Sequence, residues 1–229
     1  MRNIIFEQIE TARHSTPGLD GIIHGTRKIK QGKHGSRASL IYSAKNQALI
    51  PVESWLERDF CYELERNPKV LLYRTQAISV PYRDSTLHPD FLIFDRGEDF
   101  YIREIKHSAL TNASRTVRKT NYLMTLFGKL ELEYGVVTEQ DMWKPIEKSN
   151  WAMLYNRGGR LGIAQDLLDW VVPLAQNLPH QTRTLSALRL AIQQSKLPAY
   201  LLEASLFNGT LQCRMDRPIN QNTIIEVAQ

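Results

Sequence analysis

A series of short apolar segments between Val70 and Lys106 constrains the fold most. Each segment is rich in aliphatic and aromatic residues and is bounded by turn-forming residues, which is typical of β-strands. The residues Asp95-Arg96-Gly97-Glu98-Asp99 favour a turn, so we predict that the two strands beside them form an antiparallel hairpin. The four segments are VLLY at 70–73, AISVPY at 77–82, DFLIFD at 90–95 and FYIREIK at 100–106.

Helical patterns flank these predicted strands. Apolar residues at 52, 55, 56, 60 and 64 predict a helix that Asn67-Pro68 ends. A second helix, capped by Asn112 or Ser114, is predicted to run to about Glu133, and a last strand covers 134–139. The order of elements predicts an α/β fold, with a mixed sheet flanked by helices.

The pattern changes along the chain indicate four regions. Residues 1–50 look irregular, and residues 51–142 hold the predicted α/β domain. Residues 143–160 are typical of a linker, with Gly158-Gly159 as the expected hinge. Residues 161–229 show three helical patterns followed by two short strands, which is the outline of a winged-helix-like domain.

Positive charge is concentrated near the N-terminus. The net charge is only +5, from 29 Lys and Arg against 24 Asp and Glu, yet no acidic residue occurs between His24 and Arg37. Concentrated positive charge indicates a phosphate partner better than the total does, although a solvated flexible arm has the same composition. The five cations of this basic stretch are Arg27, Lys28, Lys30, Lys33 and Arg37.

Several classes of protein are disfavoured by the sequence. The only cysteines, Cys61 and Cys213, form no CxxC pair, which argues against a disulfide framework and a cysteine-rich zinc site. The chain has no signal-peptide pattern and no apolar run of roughly 18–20 residues, so we expect an intracellular protein without a membrane partner. It has no GxxxxGK[ST] loop, so it should not hydrolyse ATP itself.

Asp90 and the triplet Glu104-Ile105-Lys106 carry the strongest chemical pattern. Asp90 begins one strand of the predicted hairpin, and Glu104 and Lys106 share a face near the end of the other, so the three side chains should meet at one edge. Two carboxylates can hold Mg²⁺, which polarises a phosphoryl oxygen and lowers the pKa of a bound water. A nearby ammonium can stabilise the charge that develops during phosphodiester hydrolysis.

The alternative is that these residues are ordinary charges at strand ends, because the pattern alone is weak. Glu57, on the first predicted helix, could supply a third carboxylate. Position alone does not separate Glu57 from Glu53 on that segment.

An ordered set of segments resembles the TnsA family, the endonuclease subunit of heteromeric (TnsA, TnsB and TnsC) transposases, including those of CRISPR-associated transposons. The fold that this implies is restriction-endonuclease-like. In one local departure, His107 stands where the family often has proline after the lysine. The segments are LERDFCYELERNPKVLLYRTQAI, HPDFLIF, YIREIKHSAL and EYGVVTEQDM.

The resemblance implies a catalytic set of Glu57, Asp90, Glu104 and Lys106. Glu57, Asp90, Glu104 and the Ile105 carbonyl would bind Mg²⁺, with Mn²⁺ able to substitute. The implied reaction nicks the non-transferred strands near the 5′ ends of a transposon. The implied partners are transposon-end DNA, a DDE-type transposase and an AAA+ ATPase regulator, in a prokaryotic cytoplasm and at the nucleoid during transposition.

Two other functions stay open at this stage. One is a stand-alone restriction or repair nuclease with the same centre, and the other is a DNA-binding adaptor whose carboxylates are structural. The cations Arg115, Arg118 and Lys119 follow the expected active edge, where they either bind DNA or face solvent. The C-terminal domain has few positive charges, which favours a protein partner over DNA.

Overall fold

The computed structural model describes residues 1–15 and 39–228. They fall into two compact units, one formed by the described residues of Met1–Leu64 and Lys69–Met142, the other by Glu65–Pro68 and those of Trp143–Gln229. Within these described ranges, no helix is long and apolar enough to span a membrane. Outside them lies the predicted DNA-binding stretch with Arg27, Lys28, Lys30, Lys33 and Arg37.

A mixed four-stranded sheet forms the centre of the first unit. Its strands, in spatial order, are β3 (Val70–Thr75), β6 (Phe91–Asp95), β7 (Phe100–Ile105) and β8 (Tyr134–Val137). Strand β8 runs parallel to β7, and the other neighbours are antiparallel. The mixed α/β class and the hairpin of β6 and β7 are therefore as predicted. From Met1 to Met142 the elements are α1 (Arg2–His14), β1 (Ser39–Ser43), β2 (Ala48–Val52), α2 (Trp55–Arg66), β3 (Val70–Thr75), β4 (Val80–Tyr82), β5 (Ser85–Leu87), β6 (Phe91–Asp95), β7 (Phe100–Ile105), α3 (Ser108–Thr111), α4 (Ser114–Lys129) and β8 (Tyr134–Val137).

Helices cover both faces of this sheet. On one face, α4 packs Leu123 and Phe127 into a core that includes Leu92 and Ile102. On the other face, Phe60 of α2 packs edge-on against Phe91 at 5.1 Å between ring centroids. Alternate residues of β6 therefore point to opposite layers, and its first four residues are buried, as expected for a strand covered on both sides.

The first 50 residues contain more structure than the sequence predicts. Helix α1 buries Ile5, Ile9 and Ala12, whose spacing places them on one helical face against the same core. The guanidinium of Arg74 donates to the carbonyls of Ala12 and Ser15 and so fixes the end of α1. The prediction of an irregular segment is therefore wrong for α1, β1 and β2.

The second unit is mainly helical. Helix α9 lies at its centre, because every residue from Leu201 to Phe207 is buried. Gly209 ends this helix with a positive φ of 85°, a backbone conformation that glycine adopts without strain. The elements are α5 (Pro145–Arg157), α6 (Gln165–Asp169), α7 (Val171–Gln176), α8 (Leu185–Gln194), α9 (Leu201–Asn208) and an antiparallel hairpin of β9 (Leu211–Cys213) and β10 (Ile225–Val227).

The stretch expected to be a linker is instead a helix. Helix α5 buries Trp151, Leu154 and Tyr155, and it packs against α9. A Cβ on Gly158 would collide with the backbone of Ala204, and one on Gly159 would collide with the ring of Phe207. These glycines allow close packing of α5 and α9, so the hinge interpretation is wrong. The first of the three helical patterns predicted within residues 161–229 is also divided, into α6 and α7.

Candidate functional site

The β6–β7 hairpin places Asp90 beside the end of β7. Phe91 pairs with Arg103 in the antiparallel register, so the next position along each strand sets Asp90 opposite Glu104. The backbone N–H of Ile105 donates to Asp90 Oδ2 at 2.7 Å, which fixes the carboxylate at this edge. The hairpin register thus brings together two acidic residues that are far apart in sequence.

Lys106 joins the two carboxylates. Its Nζ lies 2.6 Å from Glu104 Oε1 and 3.3 Å from Asp90 Oδ2, and it donates to the Ile105 carbonyl at 3.1 Å. The convergence of Asp90, Glu104 and Lys106 at one edge, expected from the sequence, is therefore observed. Whether these residues catalyse a reaction stays a prediction.

The three side chains line a cleft of about 360 Å³. Helix α4 forms one wall of this cleft and contributes Arg115 and Lys119, which are one helical turn apart and so share a face. Arg118 is exposed on the same helix and does not line the cleft. The result is an acidic floor with a cationic wall. Other lining residues are Glu53, Thr86, Leu87, His88, Thr116, Thr120 and Leu123.

Burial and charge shift the proton affinities of this cluster. Burial raises the pKa of Glu104 to about 7, and the negative charge of Asp90 adds to this effect while Lys106 opposes it. Burial also raises the pKa of Asp90, against the opposing effects of Lys106 and the Ile105 N–H. Burial lowers the pKa of Lys106, but the two carboxylates outweigh burial and raise it. The ammonium is therefore fixed in its charged form at neutral pH.

Glu57 is held differently from the other three predicted residues. Its carboxylate accepts hydrogen bonds from the Glu53 N–H and the Ser54 hydroxyl, both at 2.9 Å, while Ser54 Oγ accepts from the Glu57 N–H. This arrangement resembles a capping box at the start of α2, except that the backbone donor to the carboxylate is Glu53, one residue before Ser54. Burial first, and then the charge of Asp90, raise the pKa of Glu57 to about 7, so the group lies within electrostatic reach of the cluster.

Glu53, rather than Glu57, lines the cleft. Glu53 Oε2 accepts a hydrogen bond from Gln76 Nε2 at 3.2 Å, and its negative charge contributes to the raised pKa of Asp90. The sequence did not separate these two glutamates. The structure adds Glu53 as a candidate third carboxylate of the cluster.

The donors at this edge suit a hard cation such as Mg²⁺, because they are carboxylate and carbonyl oxygens. Glu104 Oε2 is buried and accepts no hydrogen bond from any described residue, which leaves an oxygen available to a ligand. As the side chains stand, no three His, Cys, Asp or Glu side chains within residues 1–15 and 39–228 are grouped closely enough to hold a metal ion. Asp90 and Glu104 fit such an ion as a pair, with the Ile105 carbonyl beside them.

His107 is exposed and lies at the start of α3, where its Nδ1 accepts from the Ala109 N–H at 3.4 Å and lies 3.3 Å from Glu139 Oε1. These local contacts give it a structural role at a helix start.

The chain matches no protein-family model and no curated protein. The resemblance to TnsA therefore stays a prediction, and the geometry of the cluster has to carry any functional argument.

Proposed function

We propose that the chain is a Mg²⁺-dependent DNA endonuclease whose centre is Asp90, Glu104 and Lys106. The observation that carries the proposal is the meeting of two buried carboxylates and one ammonium in a cleft with a cationic wall. A phosphodiester is anionic, so it is attracted to the wall of Arg115 and Lys119. Its hydrolysis requires stabilisation of the developing negative charge, which the cluster at the floor of the cleft can provide with a bound cation. This cluster of perturbed ionisable groups in a cleft is typical of a functional site.

Each residue has a distinct part in the proposed reaction. Asp90 and Glu104 bind the cation, with the Ile105 carbonyl, and either Glu53 or Glu57 completes the acidic set. The bound cation supplies Lewis acidity to the phosphoryl oxygen and to a water. The three N–H groups of Lys106 donate to Asp90, Glu104 and the Ile105 carbonyl. The ammonium stabilises negative charge on the phosphate, and it exchanges one of these bonds to orient the attacking water. In-line attack by this water breaks the P–O3′ bond and leaves a 3′-hydroxyl and a 5′-phosphate.

We expect Arg115 and Lys119, but not Arg118, to hold the DNA strand at the cleft. Their replacement by alanine (R115A/K119A) should lower the slope of log affinity against log salt by about 2, because two phosphate contacts are lost. R118A is the matched control for the single variant R115A, since each removes one positive charge from the same helix and Arg118 lies outside the cleft. Fluorescence anisotropy with a short duplex, in Ca²⁺ to suppress cleavage, measures both slopes. Equal effects of Arg118 and Arg115 single variants would show that DNA lies elsewhere.

The proposed biological role is the cutting of 5′ ends in a heteromeric transposase. The ordered motifs that resemble TnsA support this role, and they imply a restriction-endonuclease-like fold for the first unit. The three helical patterns and two short strands predicted for the second unit favour a winged-helix-like fold. Partners would be transposon-end DNA, a DDE-type transposase and an AAA+ ATPase. Exposed apolar side chains in the second unit favour a protein partner for it, namely Leu167, Trp170, Leu190 and Tyr200.

Cleavage assays separate this role from a stand-alone restriction or repair nuclease. We expect purified protein with Mg²⁺ or Mn²⁺ to cut DNA poorly by itself. It should nick at the 5′ ends of the element when its proposed partners, the transposase and the ATPase, are added. Efficient site-specific or lesion-specific cutting by the isolated protein would support the stand-alone nuclease. Assembly on DNA without strand cleavage under either condition would support the adaptor and contradict the proposal.

A further inference from the structure

Tyr134 stands on the same face of the sheet as Glu104. Strand β8 is parallel to β7, and Tyr134 pairs with Ile102, so their side chains project to one side. Glu104 is two residues beyond Ile102 and therefore shares that side. Helix α4 covers this face, and the rings of Phe127 and Tyr134 lie 5.4 Å apart. The aromatic ring is thus packed in the core, and its partner residue Ile102 lies two positions before Glu104 on β7.

The hydroxyl of Tyr134 is buried and poorly satisfied. No hydrogen bond of normal geometry joins it to a residue in the described part of the chain, and its polar neighbour there is the side chain of Thr120 on α4, whose weak hydrogen bond lowers the pKa of the phenol. Burial raises the pKa of this phenol, and the negative charges of Glu104 and Asp90 raise it further. The phenol therefore stays protonated at neutral pH and lies within electrostatic reach of both carboxylates.

Glu104 has the complementary feature, a buried acceptor oxygen without a hydrogen-bond donor among the described residues. Lys106 binds Oε1 at 2.6 Å, whereas Oε2 is buried and receives no hydrogen bond from the residues that the structure describes. A buried polar atom left without a partner costs about 1–3 kcal/mol, so a poorly satisfied donor and an unpaired acceptor on one sheet face should pair. A change of side-chain torsion, or one bridging water, is enough to connect two such groups.

We propose that Tyr134 is a positioning residue that donates a hydrogen bond to Glu104 Oε2 and fixes the orientation of the carboxylate. This inference rests on the proposed function, because the orientation matters for a cation held between Glu104 and Asp90. Lys106 and Tyr134 then hold the two oxygens of Glu104 from opposite ends, and each oxygen keeps a second lone pair for the cation. Such supporting hydrogen bonds to carboxylate ligands strongly affect metal affinity.

A double-mutant cycle tests the hydrogen bond without any cation. Y134F removes only the hydroxyl, and E104A removes its acceptor while Lys106 keeps Asp90 as a partner. In EDTA, we expect Y134F to raise the unfolding equilibrium constant in the wild-type background. In the E104A background the same substitution should have an effect that is smaller by about threefold or more. Equal factors in the two backgrounds would overturn the inference. Y122F is the control, because Tyr122 of α4 donates to the Pro81 carbonyl instead.

Calorimetric titration with Mn²⁺ gives the second readout. We expect Y134F to weaken Mn²⁺ binding by about tenfold or more and Y122F to leave it unchanged. Unchanged binding in Y134F would refute the positioning role, since a hydroxyl that only fills space would have that result. If the wild-type protein binds no Mn²⁺, the proposed nuclease function fails, whereas the cycle in EDTA still decides whether Tyr134 and Glu104 are bonded.

Discussion

The variant D90N should lose strand cleavage by at least about 10³-fold while keeping its fold. Asparagine retains an oxygen that can accept the Ile105 N–H, but it removes the negative charge that binds the cation. Lys106 keeps Glu104 as a partner at 2.6 Å. Loss of the Asp90 charge also relieves Glu57 and Glu104, whose pKa values that charge raises. D90N should therefore melt at the same temperature as the wild type or above it.

The control for D90N is D95N, at the other end of β6. Asp95 Oδ1 accepts from the N–H groups of Gly97 and Asp99 in the hairpin turn, and an asparagine oxygen can accept the same bonds. Cleavage assays on a reconstituted complex, with thermal melting of each variant, measure both effects. Normal cleavage by D90N would show that Asp90 has no part in catalysis. Equal loss in D95N would point to a general effect on the hairpin.

The parts of the fold that the sequence predicts are those set by local patterns. The β6–β7 hairpin follows from two apolar strands around a turn-forming sequence, and its register then determines that Asp90 meets Glu104. Helix α5 carries local signals of its own, namely Pro145 at its first turn, Glu147 three residues after Lys144, and the buried series from Trp151. The pair Gly158-Gly159 obscures them in the sequence, because adjacent glycines are also typical of a hinge.

The choice between Glu53 and Glu57 shows where local patterns stop. Ser54 and Glu57 have the spacing of a capping box, a pattern that predicts that the Glu57 carboxylate accepts a hydrogen bond from a backbone N–H at the helix start. That pattern could have identified the structural engagement of Glu57. The place of Glu53 at the cleft depends instead on Gln76, which is distant in sequence. Likewise, the pairing of Tyr134 with Ile102 depends on the order of strands in the sheet.

Replacement of Lys106 by methionine should both abolish cleavage and destabilise the protein in a pH-dependent way. At pH 8 the substitution leaves two largely buried carboxylates without their ammonium. The side chains of Asp90 and Glu104 are only 12% and 14% exposed. Removing one partner from a fully buried ion pair costs about 3–5 kcal/mol, and because the Lys106 side chain is 30% exposed we expect a smaller cost, about 1–3 kcal/mol. K129M, an exposed lysine at the end of α4, is the matched control and should cost little.

The destabilisation of K106M should shrink as the pH falls from 8 to 5. Lys106 has a raised pKa in the folded state, so its contribution to stability is present below the ordinary value of 10.5 and does not vary over this range. The carboxylates vary instead. Glu104 ionises near 4.5 when unfolded and near 7 when folded, so the folded state holds more protons in this window and stability falls as the pH rises. Without the ammonium the folded pKa rises further, which widens the window and increases the loss at pH 8. Urea titrations at the two pH values measure this difference. An equal loss at both would mean that Lys106 contributes packing of its aliphatic chain, and that its charge does not hold the two carboxylates together.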